Sequence, residues 1–370
     1  MPLQGDRAAL RVQELAERSR QCFQCGQCTA ACPNGSNLTL GPRRVVRLVL
    51  GGDVEGLLAC GDVWRCSDCG ACSEACPMGV DVAGLMAELR ELQLEHGTAR
   101  CPERRAAEVS SARLARHDRV NALALGVALA RSRYLPRDPV NAVATATRLA
   151  AGRLRRRAPS PPKGRPFFPG CALAQDARVS HALRELAAAL GIPLTDADTG
   201  CCGHPSRGKA APRPATGQYF LTACPACELS LRGAGHPASP IWEVLVEQAW
   251  RTGRGLVGAE ARFVPYVGCL GDRDRALRTL ARAGELAGAE MVRSYPSLHA
   301  GCCGALGAVY RGPSPALLRL VAFASEQGAP IVTPCLLCRD NARSAARRHR
   351  IRVYYWPEFF RAVGEVASGG

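Results

Sequence analysis

The sequence predicts an α+β protein of several domains, in which a helical, cysteine-rich domain precedes two α/β repeats. Its 370 residues are enough for two or three domains of roughly 100–200 residues each. Eight of the nine cysteines before residue 99 fall in two dense runs, and a different cysteine pattern occurs twice after residue 166. The segment 153–166 is rich in proline and arginine, which is typical of a linker. The expected parts are the helical domain 1–98, a basic helical connector and linker 99–166, and the repeats 167–258 and 259–370.

Composition and charge exclude several classes of protein. Hydrophobic residues make up 47% and charged residues 22% of the chain, so it is not disordered as a whole. The net charge of +16 is concentrated between residues 100 and 166, where sixteen basic residues stand against four acidic ones. Because these arginines do not alternate with base-stacking aromatic residues, we expect no nucleic-acid partner. No apolar run approaches the ~20 residues of a membrane span, and the charged start is unlike a signal peptide. We therefore expect a cytoplasmic protein, or one held at the inner face of the membrane by a partner.

Twenty cysteines are the most unusual feature of the composition. A disulfide scaffold is disfavoured because cytoplasmic thiols are kept reduced, and metal ligation is therefore the expected role. Cys60 and Cys101 fit no motif and are expected to be ordinary packing residues.

The two N-terminal runs follow the pattern Cys-x2-Cys-x2-Cys-x3-Cys-Pro, which is the ferredoxin pattern for 4Fe–4S clusters. In two-cluster ferredoxins the fourth cysteine of each run ligates the other cluster. Structural zinc would favour two separated pairs of ligands instead. The runs therefore predict a ferredoxin-like domain that transfers electrons through two cubane clusters. The expected ligands are Cys22, Cys25, Cys28 and Cys76 for one cluster, and Cys66, Cys69, Cys72 and Cys32 for the other.

The C-terminal part contains the same pattern twice, at a period of about 100 residues. FFPGC, GCCG and ACPAC in the first copy correspond to YVGC, GCCG and PCLLC in the second. In each copy an apolar run leads into a cysteine, a helical pattern follows, and another apolar run leads into the CxxC pair. We therefore expect each copy to be α/β, with its cysteines at the strand ends, where open α/β sheets place ligands.

Each copy supplies five cysteines, which is one more than a zinc site needs. The adjacent Cys–Cys pair is awkward for a single zinc or a cubane iron, because neighbouring thiolates point in different directions. An open, extended iron–sulfur cluster and a redox-active disulfide both remain possible on the residues alone. The two sets are Cys171, Cys201, Cys202, Cys224 and Cys227, and Cys269, Cys302, Cys303, Cys335 and Cys338.

These motifs carry a family resemblance. CFQCGQCTAACPNGSN, PRRVVRLVLGG and VWRCSDCGACSEACPMGVDV resemble the C-type iron–sulfur chain of heterodisulfide reductases. The paired C…CCG…CxxC pattern resembles the cysteine-rich CCG domains of the B-type chain, so the whole sequence resembles the fused, D-type chain of these enzymes. The resemblance covers roughly residues 15–98 and 167–360.

The resemblance implies that each set of five cysteines holds a noncubane 4Fe–4S cluster, and that the two clusters face a common cavity where a disulfide is cleaved. It makes the CCG cysteines the best candidates for catalysis: Cys201, Cys202, Cys302 and Cys303. The first copy departs from the pattern, with 21 residues between Cys202 and Cys224 against 31 between Cys303 and Cys335. We therefore expect one or two noncubane clusters.

Two functions from different classes fit the sequence. The first is an oxidoreductase that reduces or forms a small-molecule or carrier-bound disulfide or persulfide, with a flavoprotein subunit or a membrane cytochrome b as electron partner. The second is an electron-transfer subunit of a flavin dehydrogenase of the glycolate oxidase or glycerol-3-phosphate dehydrogenase type, which passes electrons to quinone. Of the remaining residues, we expect His204 and His299 to be structural loop histidines and Trp242 and Trp356 to anchor the two cores.

Overall fold

The computed structural model describes residues 4–35, 38–96, 164–173, 176–197, 202, 218–294, 296–303 and 313–363. These residues form two compact units, one up to residue 96 and one from residue 164 onward. The predicted connector lies outside the described residues except at its end, where Arg165 and Pro166 already belong to the first strand. The fold mixes helix and sheet, as the sequence predicts. No helix in the described ranges is long and apolar enough to cross a membrane.

The first unit is built from helices in its described part. They are α1 (Gln4–Arg18), α2 (Gln27–Ala30), α3 (Gly41–Leu50), α4 (Val54–Leu58), α5 (Asp62–Arg65), α6 (Ala71–Glu74) and α7 (Val82–Glu95). Asp53 and Asp81 begin α4 and α7 in the same way, because each carboxylate accepts the backbone N–H of a glycine three residues on. Such a cap satisfies an N–H that the first turn of a helix leaves open.

A buried polar contact joins the middle of this unit to its last helix. The Trp64 indole N–H donates to Gln93 Oε1 at 2.5 Å, and the Gln93 amide donates to the carbonyl oxygens of Leu57 and Cys60. Cys60 is 5% exposed and belongs to the hydrophobic core, as expected of a packing residue.

The second unit alternates strands and helices. Its strands are β1 (Arg165–Phe168), β2 (Leu194–Asp196), β3 (Phe220–Thr222), β4 (Ala238–Pro240), β5 (Leu256–Gly258), β6 (Arg262–Pro265), β7 (Glu290–Met291), β8 (Ile331–Thr333), β9 (Val353–Tyr355) and β10 (Phe360–Ala362). Its helices are α8 (Gly170–Leu173), α9 (Ala177–Ala189), α10 (Pro225–Gly233), α11 (Ile241–Thr252), α12 (Arg273–Ala287), α13 (Pro296–His299), α14 (Pro315–Glu326), α15 (Leu336–Ala346) and α16 (Trp356–Phe359).

Two four-stranded parallel sheets share one strand order. The first sheet runs β2-β1-β3-β4 and the second runs β7-β6-β8-β9. Strands β5 and β10 form a separate antiparallel pair, which ties the segment between the sheets to the end of the described chain. In each sheet the two central strands are β1 and β3, or β6 and β8, and the cysteine motifs follow their carboxyl ends.

One hydrophobic core extends through both sheets. It includes Phe167 and Leu221 of the first sheet and Phe263 and Val332 of the second. Trp242 and Trp356 are buried at 2% and 1% exposure, in agreement with their expected role as core anchors. The two sheets therefore fold around a common interior.

Candidate metal centres

Three cysteines of the first run lie around the start of α2. Gly26, at φ 87°, precedes the helix, and Cys28 lies in its first turn. Burial raises the pKa of the Cys28 thiol, and the proximity of Cys22 and Cys25 raises it further. The left-handed backbone at Gly26 is readily adopted only by glycine, and it lets the chain turn around the three sulfurs.

The second run has the same local structure around α6, which Gly70 begins at φ 78°. Burial raises the pKa of Cys72 to about 12, with further contributions from the nearby Cys66, Cys69 and Cys32. Cys32 comes from the first run and lies close enough to Cys72 to contribute to this shift, while the exchange of fourth ligands stays a prediction. Cys76 lies at the edge of the unit's hydrophobic core, and its Sγ accepts the Val80 N–H at 3.3 Å.

Equivalent residues in the two runs donate to cysteine sulfur. Gln24 and Asp68 each lie two residues after the first cysteine of a run and adopt positive φ, 61° and 55°. The Gln24 side-chain amide donates to Cys22 Sγ, and the Asp68 backbone N–H donates to Cys66 Sγ, both at 3.4 Å. Asp68 is also paired with the buried Arg90 at 2.5 Å. Sequence reasoning missed these residues, although their common position in two aligned motifs could have indicated them.

In the second unit, the CxxC pairs begin helices directly after a central strand. Cys224 lies between β3 and α10, and Cys335 lies between β8 and α15. The second cysteine of each pair contacts a CCG cysteine of the same copy, so that Cys227 meets Cys202 and Cys338 meets Cys303. These thiol contacts, with burial, raise the pKa values of Cys227 and Cys338 well above the usual range.

The two copies also meet each other through their cysteines. The side chains of Cys224 and Cys335 are hydrogen-bonded, although 111 positions separate them along the chain. Hydrogen bonds from Cys227 and Cys335 lower the pKa of Cys224, whereas the contact with Cys224 raises that of Cys335. Next to this pair, the Tyr355 hydroxyl of the second copy donates to the Ala223 carbonyl of the first at 2.7 Å.

Glycines leave space for the second cysteine of each CxxC pair. A Cβ at Gly170 would lie 2.8 Å from Cys227 Sγ, and a Cβ at Gly268 would lie 2.9 Å from Cys338 Sγ. Both glycines have positive φ, and each directly precedes the first cysteine of its copy. The close approach of backbone to sulfur, the thiol donors and the burial all suit iron–sulfur ligation.

Hydrogen bonds to carbonyl oxygens hold the CCG segment of the second copy. Tyr266 donates to the Gly301 carbonyl at 2.7 Å, Asn341 to that of Cys303 at 2.8 Å, and Ser314 to that of Cys302. In the first copy, Ser230 donates to the Cys202 carbonyl at 2.6 Å. Ser230 and Asn341 occupy the same position, three residues after the CxxC pair.

His299 has the structural role that the sequence predicts for it, but it is the last residue of helix α13 and does not lie in a loop. Its Nδ1 donates to the Pro265 carbonyl at 2.9 Å, and its Nε2 accepts the Ser294 N–H at 2.8 Å. Burial lowers its pKa, so the neutral ring that these contacts require is favoured. His204, Cys201 and the Cys171 side chain lie outside the described residues. Within the described ranges, no three His, Cys, Asp or Glu side chains converge closely enough to hold a single metal ion.

Buried ion pairs cross between the two copies beside the cysteines. Glu228, which follows Cys227, is paired with Arg275 of the second copy at 3.2 Å. Arg339, which follows Cys338, is paired with Asp176 of the first copy at 2.9 Å. Glu228 and Arg339 are 4% and 3% exposed, so each of these ion pairs has one buried member directly after a CxxC cysteine.

The comparisons with known proteins agree with this arrangement. Residues 21–81 match the family described as a 4Fe-4S dicluster domain, and residues 166–213 and 263–341 match the CCG family, described as a cysteine-rich domain. One relative is the C2 chain of the H(2)/formate:CoB-CoM heterodisulfide,ferredoxin reductase of Methanococcus maripaludis. It is 34% identical over 85 residues, which cover 23% of this chain and 46% of the relative.

A second relative is a C-type iron-sulfur chain of the CoB--CoM heterodisulfide reductase of Methanocaldococcus jannaschii. It is 32% identical over 95 residues, which cover 26% of this chain and 50% of the relative. The chain thus spans about half the length of the curated relatives it matches. In this chain, a part like the C-type chain precedes CCG domains like those of the B-type chain. These matches together identify it as an iron–sulfur electron-transfer protein related to heterodisulfide reductase.

Proposed function

We propose that the chain passes electrons from two cubane clusters in its first unit to noncubane clusters on its CCG cysteines, where a disulfide or persulfide is reduced or formed. The contact between Cys224 and Cys335 carries this proposal, because it brings the two cysteine sets together at the carboxyl ends of parallel strands. A disulfide has two sulfur atoms, and two adjacent centres can act on both.

The overall reaction consumes two electrons and two protons, and it converts R–S–S–R′ into RSH and R′SH. When bound, the clusters would supply one-electron storage and an iron that can bind sulfur. The residues of the chain position the cysteines. Gly170 and Gly268 leave space for the sulfur atoms of Cys227 and Cys338, and the Tyr355 hydroxyl holds the end of the strand before Cys224. Burial of the cysteines excludes water from the site, which strengthens electrostatic interactions there.

The partners we propose are a flavoprotein subunit or a membrane cytochrome b as electron donor, and a small or carrier-bound disulfide as substrate. The protein would be cytoplasmic, or peripheral at the inner face of a membrane through such a partner. The matched relatives are named as parts of reductases that act on a heterodisulfide, which supports a sulfur substrate for this chain.

Iron counting with EPR on anaerobically purified protein tests the proposal, with 2-mercaptoethanol added to the oxidised form. About sixteen irons and a new signal with thiol would support two CCG clusters, and about twelve irons with that signal would support one. About eight irons and no response to thiol would overturn the proposal and favour the flavin-dehydrogenase type of electron relay. Cys335→Ser should remove the thiol response, whereas Cys60→Ser, outside all motifs, should keep it.

A further inference from the structure

Helix α3 has one buried and one charged face. Val45, Val46 and Val49 are buried in the core of the first unit. Arg43, Arg44 and Arg47 are exposed, and none of the three has an acidic partner among the described residues. By contrast, Arg18 and Arg90 of the same unit are paired with Glu88 and Asp68 at 2.6 and 2.5 Å. Acidic side chains in the described part of the chain therefore leave the positive charge of the α3 face without an ion-pair partner.

This charged face lies beside the first cysteine set. The Arg43 Cδ is 3.7 Å from the position that a Cβ of Gly26 would occupy, and Gly26 lies between Cys25 and Cys28. The Arg43 backbone N–H also donates to Thr29 Oγ1 at 3.1 Å, which fixes the start of α3 against α2. Arg43 thus lies next to the cysteine loop, and Arg44 and Arg47 follow it on the exposed face of the same helix.

Exposed apolar side chains lie next in sequence to two cysteines that are predicted to ligate the first cluster, Cys22 and Cys76. Phe23 is 63% exposed and follows Cys22, and Met78 is 43% exposed and lies two residues after Cys76. With Leu10, they are the exposed large hydrophobic residues in the described part of this unit. Cys25 is itself exposed, whereas the described cysteines of the second set are partly or fully buried. Phe, Met and Arg are the residue types that protein interfaces favour.

We propose that Phe23, Met78, Arg43, Arg44 and Arg47 form a docking face for an electron donor protein whose surface is acidic around its redox group. Unpaired arginines attract and orient an acidic partner, and the apolar side chains contribute contact area close to the exposed cysteine. The inference rests on the proposed entry of electrons at the cubane clusters, but it does not depend on the disulfide chemistry.

Stopped-flow reduction of the full-length, cluster-loaded protein tests this inference. Reduced flavodoxin serves as the acidic protein donor, and the methyl viologen radical serves as a small cationic donor. The variant R43Q/R44Q/R47Q should slow reduction by flavodoxin at least tenfold at low salt and flatten its dependence on ionic strength. Reduction by the viologen radical should be unchanged or faster, because the variant removes charges that repel a cation.

The control R319Q/R347Q/R348Q removes the same total charge from exposed positions of the other unit. It should change the rate at which flavodoxin reduces the protein by less than twofold. F23A/M78A should weaken flavodoxin binding about fivefold while the salt dependence stays as in the parent protein. Equal slowing by both arginine triples, or slowing of both donors by R43Q/R44Q/R47Q, would overturn the proposed docking face.

Discussion

Gly268 leaves the space that Cys338 occupies: a Cβ on this glycine would lie 2.9 Å from the cysteine sulfur. The contact involves backbone and a buried thiol, so neither partner can move away easily. The equivalent contact of Gly170 with Cys227 shows that both copies use the same arrangement.

Gly268→Ala should therefore lose the iron of the second CCG set, about four atoms per chain. Gly288→Ala is the matched control, because Gly288 also has positive φ (62°) but nothing lies within 4 Å of the added Cβ. Both variants should lose about 1 kcal/mol of stability through backbone strain. Measuring the iron content of the purified proteins distinguishes the two variants. Equal iron loss in both would contradict a steric role for Gly268.

Cys32 and Cys66 should belong to one cluster, since the structure places Cys32 with the second run. Cys32→Ser and Cys66→Ser should alter the same reduced-cubane EPR signal, and Cys76→Ser and Cys22→Ser should alter the other one. If Cys32→Ser instead perturbed the signal that Cys22→Ser perturbs, each run would hold its own cluster, and the exchange of fourth ligands would be wrong.

Arg339 is a buried charge whose removal should be costly. It is paired with Asp176, Asp340 and Glu358 at 2.9, 2.8 and 3.4 Å. Arg339→Met leaves these carboxylates close together without their cation, so unfolding free energy should fall by about 3–5 kcal/mol. Urea denaturation measures this loss. Arg343→Met, at a half-exposed arginine paired with Glu358, should cost below about 1 kcal/mol, and R339M/D176N should recover part of the loss.

Glu243 should make the stability of the second unit depend on pH. Burial raises the pKa of this carboxyl to about 7 from the usual 4.5, despite its contact with Arg275. Between these two values the folded state binds more protons than the unfolded state, so stability falls as pH rises from about 4.5 to 7.

Glu243→Gln should remove this pH dependence, which is on the order of 2 kcal/mol across the interval. Urea denaturation at pH 5, 6, 7 and 8 measures it. Glu247→Gln, at an exposed glutamate on the same helix, should leave the dependence in place. A parent protein with constant stability from pH 5 to 7 would contradict the proposed role of Glu243.

The sequence could predict the features that local spacing encodes. The ferredoxin pattern predicts that Cys32 lies near the second run, and the cysteines at the ends of β3 and β8 follow from apolar runs that lead into CxxC. The sequence also predicts the structural role of His299, whereas it does not predict the two backbone partners of this residue or its position at the end of α13.

The contacts between the copies could not be predicted in this way. Arg339 and Asp176 are 163 positions apart, and no local pattern relates them. The way in which the two copies pack together determines this pair. It also determines the contact of Tyr355 with Ala223. These contacts depend on a tertiary arrangement that motif spacing does not contain.

The antiparallel pair of β5 and β10 has a consequence for biosynthesis. Strand β5 ends at Gly258, but its partner begins at Phe360, about 100 residues later in synthesis. Asp176 and Ala223 likewise receive their partners from residues near the end of the chain. On the ribosome the packing of the first copy is therefore incomplete until residues 339–362 have been synthesised, and its cysteines acquire their final surroundings only then.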